Sequence, residues 1–117
     1  MKLQEVLLVE RDVQMTRLIC WILGEAGFAV GVISGLATAK EAAARAGPGV
    51  LVIDYDCLRP EERRSLTALC LLSGKRLVQL GHRSVLGPVT ALRPESLTVP
   101  FCADDLVQSV QSALNRI

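Results

Sequence analysis

Two short acidic clusters hold most of the chemistry this chain could do: Glu10-Arg11-Asp12 near its start, and Asp54 with Asp56 near its middle. Carboxylates gathered in one place offer hard oxygen donors, the set that Mg2+ or Ca2+ prefers. Arg11 changes that expectation. Its guanidinium is a permanent cation with a planar fork of donors, suited to pair with Glu10 or Asp54 in place of a metal. The expected site is therefore a pocket of Glu10, Asp12, Asp54 and Asp56 whose balancing charge is Arg11. Breaking such a buried pair would be costly, although possessing it need not add net stability. Asp56 has two readings, a cation contact or a cap on the turn after Asp54. Cys57 is the cysteine expected nearest the pocket, but neighbouring carboxylates oppose thiolate formation and hence reactivity. His82 is the lone histidine, with no partner ligand near it in sequence, and reads as a solvent-facing loop residue.

The elements that position these groups are legible in the apolar pattern. Val50 to Ile53 is a continuous β-favouring run ending in Asp54, as expected of a strand covered by helices on both faces. Chemistry in such sheets collects outside the C-terminal strand ends, where Asp54 then stands. Leu3 to Val9 reads as the first strand and delivers Glu10, Arg11 and Asp12. Met15, Leu18, Ile19, Ile22 and Leu23 recur at helical spacing, with Asp12 placed to cap that helix and Gly27 to end it. Trp21 is expected at the core edge beside Leu18 and Ile22; exposed, it would mark a contact site. Phe28 to Ile33 is a second, glycine-containing strand nearer an edge. Ser34 to Ala46 is a helix with Ala39, Ala42, Ala43 and Ala46 against its support.

After Asp54 comes a turn, then a helix from Glu61 to Leu72 opened by Pro60 and closed by Gly74. Leu66, Leu69 and Cys70 face inward, with Arg63 and Arg64 towards water. Arg59, Arg63 and Arg64 mix with Glu61 and Glu62 as a solvated face. Lys75 to Leu80 is a fourth strand ending at Gly81-His82. From His82 to Pro94 no long amphipathic face stands out, so the helix between the fourth and fifth strands is expected to be shortened or irregular. Ser96 to Val99 is a short fifth strand before Pro100 and Phe101, and Asp104 to Ile117 a last helix. This alternation predicts an α/β fold, a doubly wound, five-stranded parallel sheet with right-handed crossovers. The first and third strands are neighbours in such a sheet, which lets Glu10 and Asp54 share one pocket.

Composition narrows the function. With 117 residues, half of them hydrophobic, the chain suits one domain with a single apolar core. Thirteen Lys and Arg against 12 Asp and Glu give no basic field for nucleic acid. Trp21, Tyr55, Phe28 and Phe101 are the only aromatics, too few for a base-stacking platform. Cys20, Cys57, Cys70 and Cys102 form no CxxC pair, which leaves a structural zinc site without support, and no signal-like or membrane-spanning run is present. The expectation is a reduced, cytoplasmic protein.

The segment LLVERD, the LVID run ending at Asp54 and the late strand followed by Pro100-Phe101 together resemble the receiver domain of bacterial two-component response regulators. The likeness spans essentially residues 1–117 and implies the flavodoxin-like strand order 2-1-3-4-5. It implies Asp54 as phosphoacceptor, Glu10 and Asp54 as Mg2+ ligands, and Gly81 and Val99 at the positions where the family carries a hydroxyl and a lysine. Pro100 matches the family; Arg11, Gly81 and Val99 depart from it. The resemblance with those departures implies an atypical receiver, not an enzyme, serving as a regulatory interaction or dimerisation module without a conventional phospho-switch. It also implies a histidine kinase and a fused DNA-binding output domain as partners, no direct nucleic-acid contact, and no cofactor unless Mg2+ accompanies phosphorylation. A working phosphoacceptor at Asp54 is the first alternative. A small-molecule-binding α/β domain is the second, weakened by the lack of a glycine-rich loop after the first strand.

Overall fold

The structure is a computed structural model and describes residues 4–45, 49–82, 95–98 and 101–115. Val99, Pro100, Ala46 and the segment 83–94, where a shortened helix was expected, lie outside the described residues. Five strands, β1 (Gln4–Val9), β2 (Phe28–Ile33), β3 (Val50–Asp54), β4 (Arg76–Gly81) and β5 (Glu95–Thr98), form one parallel sheet in the order β2-β1-β3-β4-β5. The four described helices are α1 (Val13–Glu25), α2 (Leu36–Ala44), α3 (Pro60–Ser73) and α4 (Ala103–Asn115). The predicted α/β architecture and strand order are those observed, and glycine-containing β2 is an edge strand.

Side-chain alternation along β3 explains the two layers. Val50 and Val52 point to one face and meet Ile19, Ile22 and Leu23 of α1 with Leu106 and Val110 of α4. Leu51 and Ile53 point to the other and meet Ala39, Ala42 and Ala43 of α2 with Leu66 and Cys70 of α3. The small residues of α2 let it lie close to the sheet. Asp12 caps α1 as expected, its Oδ1 accepting the Met15 amide at 2.8 Å. Pro60 opens α3, where the Glu62 carboxylate accepts the Arg59 amide at 2.8 Å, and Gly74 closes it in the left-handed conformation with φ 82°.

Two expectations about helix faces are corrected. Trp21 is 65% exposed and Leu18 lies largely in solvent, so neither belongs to the core edge. The buried stripe of α1 runs through Ile19, Ile22 and Leu23; Leu18 and Trp21 each precede a buried residue by one position, a turn of about 100° that carries them off the stripe. Arg63 does not simply face water. It is half-buried, and its Nε donates to the Tyr55 carbonyl at 3.0 Å, tying α3 to the turn after β3.

Candidate functional site

Strand register brings the two acidic clusters together. Val9 pairs with Ile53 across β1 and β3, so the next residues, Glu10 and Asp54, leave the sheet side by side. Asp54 Oδ1 accepts the Asp56 amide at 3.0 Å and caps a single 3-10 turn, Tyr55–Cys57. Side chains three residues apart eclipse in that geometry, which returns Cys57 over Asp54. The Cys57 thiol thus sits between the carboxylates, its Sγ 3.0 Å from Glu10 Oε2 and 3.3 Å from Asp54 Oδ2. Glu10 Oε2 also accepts the Arg11 amide at 3.0 Å, while the buried Oε1 has no hydrogen-bond partner among the described residues.

The electrostatics follow from this crowding. Burial, then the hydrogen bond that a protonated Glu10 can make to Asp54 and the repulsion between the two carboxylates, push the Glu10 carboxyl up to about 7. Burial and the acceptor carboxylates push the Cys57 thiol up to about 12. One S–H proton cannot satisfy both carboxylates at once, and a second proton, on Glu10, relieves the remaining repulsion. Cys57 lies near the pocket, as expected, and its carboxylate neighbours oppose thiolate formation, also as expected. Its position as the bridge between them was missed. The signal was available as the three-residue spacing from Asp54 to Cys57 across a one-turn helix.

The expected internal cation is not found there. The Arg11 side chain is exposed, and among the described residues no ion pair joins it to Glu10 or Asp54. Successive residues at a strand end point to opposite sides, so burying Glu10 turns Arg11 outward, where its guanidinium keeps its hydration. Asp12 borders the site but spends its carboxylate on the α1 cap. Asp56 is engaged by His82, whose Nδ1 lies 2.7 Å from Asp56 Oδ2, so the solvent-facing histidine has a specific partner that its sequence context did not reveal. Gly81 packs beside Tyr55 and Asp56 and brings no hydroxyl to the site. A cleft of about 430 Å3, bordered by Glu10, Asp12, Met15, Asp54, Asp56 and His82, opens the site to solvent.

Behind the turn, Tyr55 is buried, its hydroxyl 2.6 Å from Thr67 Oγ1 and accepting from Gln79 Nε2 at 2.9 Å. These bonds fix the start of the turn between α3 and β4. The three donors that converge around Asp54 are two carboxylate oxygens and one sulfur, all within 4.8 Å of one another. Mg2+ takes about six oxygens in near-octahedral geometry and has little affinity for sulfur. Glu10 and Asp54 are carboxylates of the kind that hold Mg2+ together with waters, but the Cys57 sulfur lodged between them is not a ligand for it.

No protein-family model matches the sequence, and no curated protein is significantly similar to it. Solved structures are similar in fold. A response regulator receiver domain protein (CheY-like) from Methanospirillum hungatei JF-1 superposes with a TM-score of 0.75 at 18% identity, over 97% of this chain and 95% of that one. The signal receiver domain of an HD domain-containing protein from Pseudomonas fluorescens Pf-5 gives 0.78 at 13% identity, over 98% and 97% of the two chains. A protein described within a family of redox sensors in the streptococci, evolved from two-component response regulators, gives 0.74 at 13% identity, over 97% of this chain and 52% of that one. The likeness establishes the CheY-like receiver fold.

Proposed function

We propose that this chain is an atypical receiver-type regulatory module that signals through protein contacts, with no phosphoryl switch at Asp54. The observation that carries the reading is the Cys57 thiol lodged between Glu10 and Asp54, which engages Asp54 Oδ2 while the Asp56 amide engages Oδ1. Phosphoryl transfer needs positive charge around the equatorial oxygens. Here Arg11 faces solvent, the Cys57 thiol stands between the two carboxylates that would hold Mg2+, and Gly81 has no hydroxyl to follow a phosphoryl group. The streptococcal redox sensors support the reading from a different direction, since their description traces a sensor family to response regulators.

The contact surface best suited to a partner is the outer side of α1, where Val13, Leu18 and Trp21 are exposed. Large aromatics concentrate binding energy at interfaces, which favours Trp21 as an anchor for a second copy or for an output domain. On this reading the chain is a non-enzymatic domain, the N-terminal part of a longer cytoplasmic regulator, and a histidine kinase is dispensable to it. Among the described residues no helix is long and apolar enough to cross a membrane, and the four cysteines are free thiols.

Intact-mass measurement after incubation with a small acyl-phosphate donor and Mg2+ tests the reading. The expected result is unmodified protein. A phosphoryl adduct that disappears in Asp54→Asn would overturn it in favour of a working phosphoacceptor.

A further inference from the structure

The sulfur among these three donors favours a different class of ion from Mg2+. We infer that Cys57 Sγ, Glu10 and Asp54 form a binding site for a thiophilic divalent cation such as Zn2+. The inference concerns the ion the site selects and does not depend on how the domain signals.

Three observations carry it. The donors come from separate places, Glu10 from the end of β1, Asp54 from the end of β3 and Cys57 from the turn beyond, and they converge within 4.8 Å. Glu10 is only 2% exposed, yet its Oε1 has no hydrogen-bond partner among the described residues, although the side chain borders a cleft open to solvent. When Glu10 is ionised, such a buried oxygen is costly, and a cation held by the Glu10 carboxylate would offset that cost. The spacing is also close to what a metal needs. Zn–S bonds of about 2.3 Å and Zn–O bonds of about 2.0–2.2 Å in a tetrahedron hold sulfur and oxygen about 3.6 Å apart. The observed separations of 3.0 and 3.3 Å need open by only a few tenths of an ångström. Such an ion would replace the thiol proton and any proton on Glu10, since coordination deprotonates a thiol outright. Two carboxylates and a thiolate make the site strongly anionic, and the cleft bordered by Glu10 and Asp54 gives water access as a fourth ligand.

The choice of ion follows from ligand softness. Thiolate selects Zn2+, Co2+ or Cd2+ over Mg2+ and Ca2+, whose ligands are oxygen alone. Cys102 is the competing thiol, exposed and 3.0 Å from Asp105 Oδ2 on α4, but among the described residues only those two donors meet there.

Titration of the reduced, metal-free 117-residue chain with Co2+, followed by absorption, tests the inference. The expected result is a near-ultraviolet sulfur-to-cobalt charge-transfer band that saturates at one equivalent, is abolished by equimolar Zn2+ and survives a hundredfold excess of Mg2+. Cys57→Ser should remove the band, with folding verified by circular dichroism, while Cys102→Ser should retain it. No band in the wild-type chain would overturn the inference without recourse to any variant. A band that persists in Cys57→Ser, or that Mg2+ abolishes at comparable concentration, would overturn it as well.

Discussion

Glu10→Gln is expected to stabilise the metal-free domain at pH 8 by roughly 2–3 kcal/mol and to flatten its stability between pH 4.5 and 7. Glu10 is buried and its carboxyl is pushed from 4.5 in the unfolded chain up to about 7 in the fold. Below the lower value both states carry the proton and the fold has its full stability. Between the two values the unfolded chain releases its proton while the folded one keeps it, so stability falls as pH rises. Above the upper value Glu10 is ionised in both states, and the fold bears the whole penalty of a buried carboxylate beside Asp54. Glutamine has the same shape, carries no charge and can still donate to Asp54, so the penalty disappears. Urea denaturation of both proteins at pH 5 and pH 8, with a chelator present, measures the difference. The wild type should weaken from the lower pH to the higher by about 2 kcal/mol more than the variant does.

Leu51→Ala is expected to remove about 3 kcal/mol or more, a large share of the stability of a domain this size. Leu51 is fully buried at the centre of β3, where it meets the α2 and α3 layer among side chains that cannot all collapse into the space it leaves. The informative control is Trp21→Ala. It deletes a larger side chain, but one that is 65% exposed, and its expected cost is within about 0.5 kcal/mol. The same denaturation experiment compares them. A Trp21 variant as damaged as the Leu51 variant would mean that α1 packs more closely than described, and would remove Trp21 as a docking anchor.

The difference between these two residues shows how far the sequence could be read. Leu51 belongs to an uninterrupted apolar run, and such a run has one reading in an α/β protein, a strand covered on both faces. Asp54 at the end of that run, Asp12 at a helix start and the glycine-containing edge strand β2 were legible for the same reason: each rests on a local rule of spacing or capping. Trp21 was misread because α1 has apolar residues on more than one side, and composition could not say which of Leu18 and Ile19 faced the sheet. Arg11 was misread because opposite charge was weighed above strand geometry. Alternation at the end of β1 places Glu10 and Arg11 on opposite sides, and that constraint is stronger than a Coulomb attraction which burial would largely cancel. Cys57 as a bridge, and the Asp56–His82 pair, depend on the path of one turn against β4, which no pairwise spacing encodes in full.

These readings converge on a pocket closed upon itself by two protons, one on Cys57 and one on Glu10. Carbon-13 NMR of the Glu10 side-chain carboxyl, followed against pH in metal-free buffer, observes that state directly. The account predicts a midpoint near pH 7, with the Cys57 resonance still that of a thiol at pH 9. A Glu10 midpoint near the ordinary 4.5 would contradict it, because an ionised Glu10 has no proton to share with Asp54 and the thiol alone cannot close the pocket.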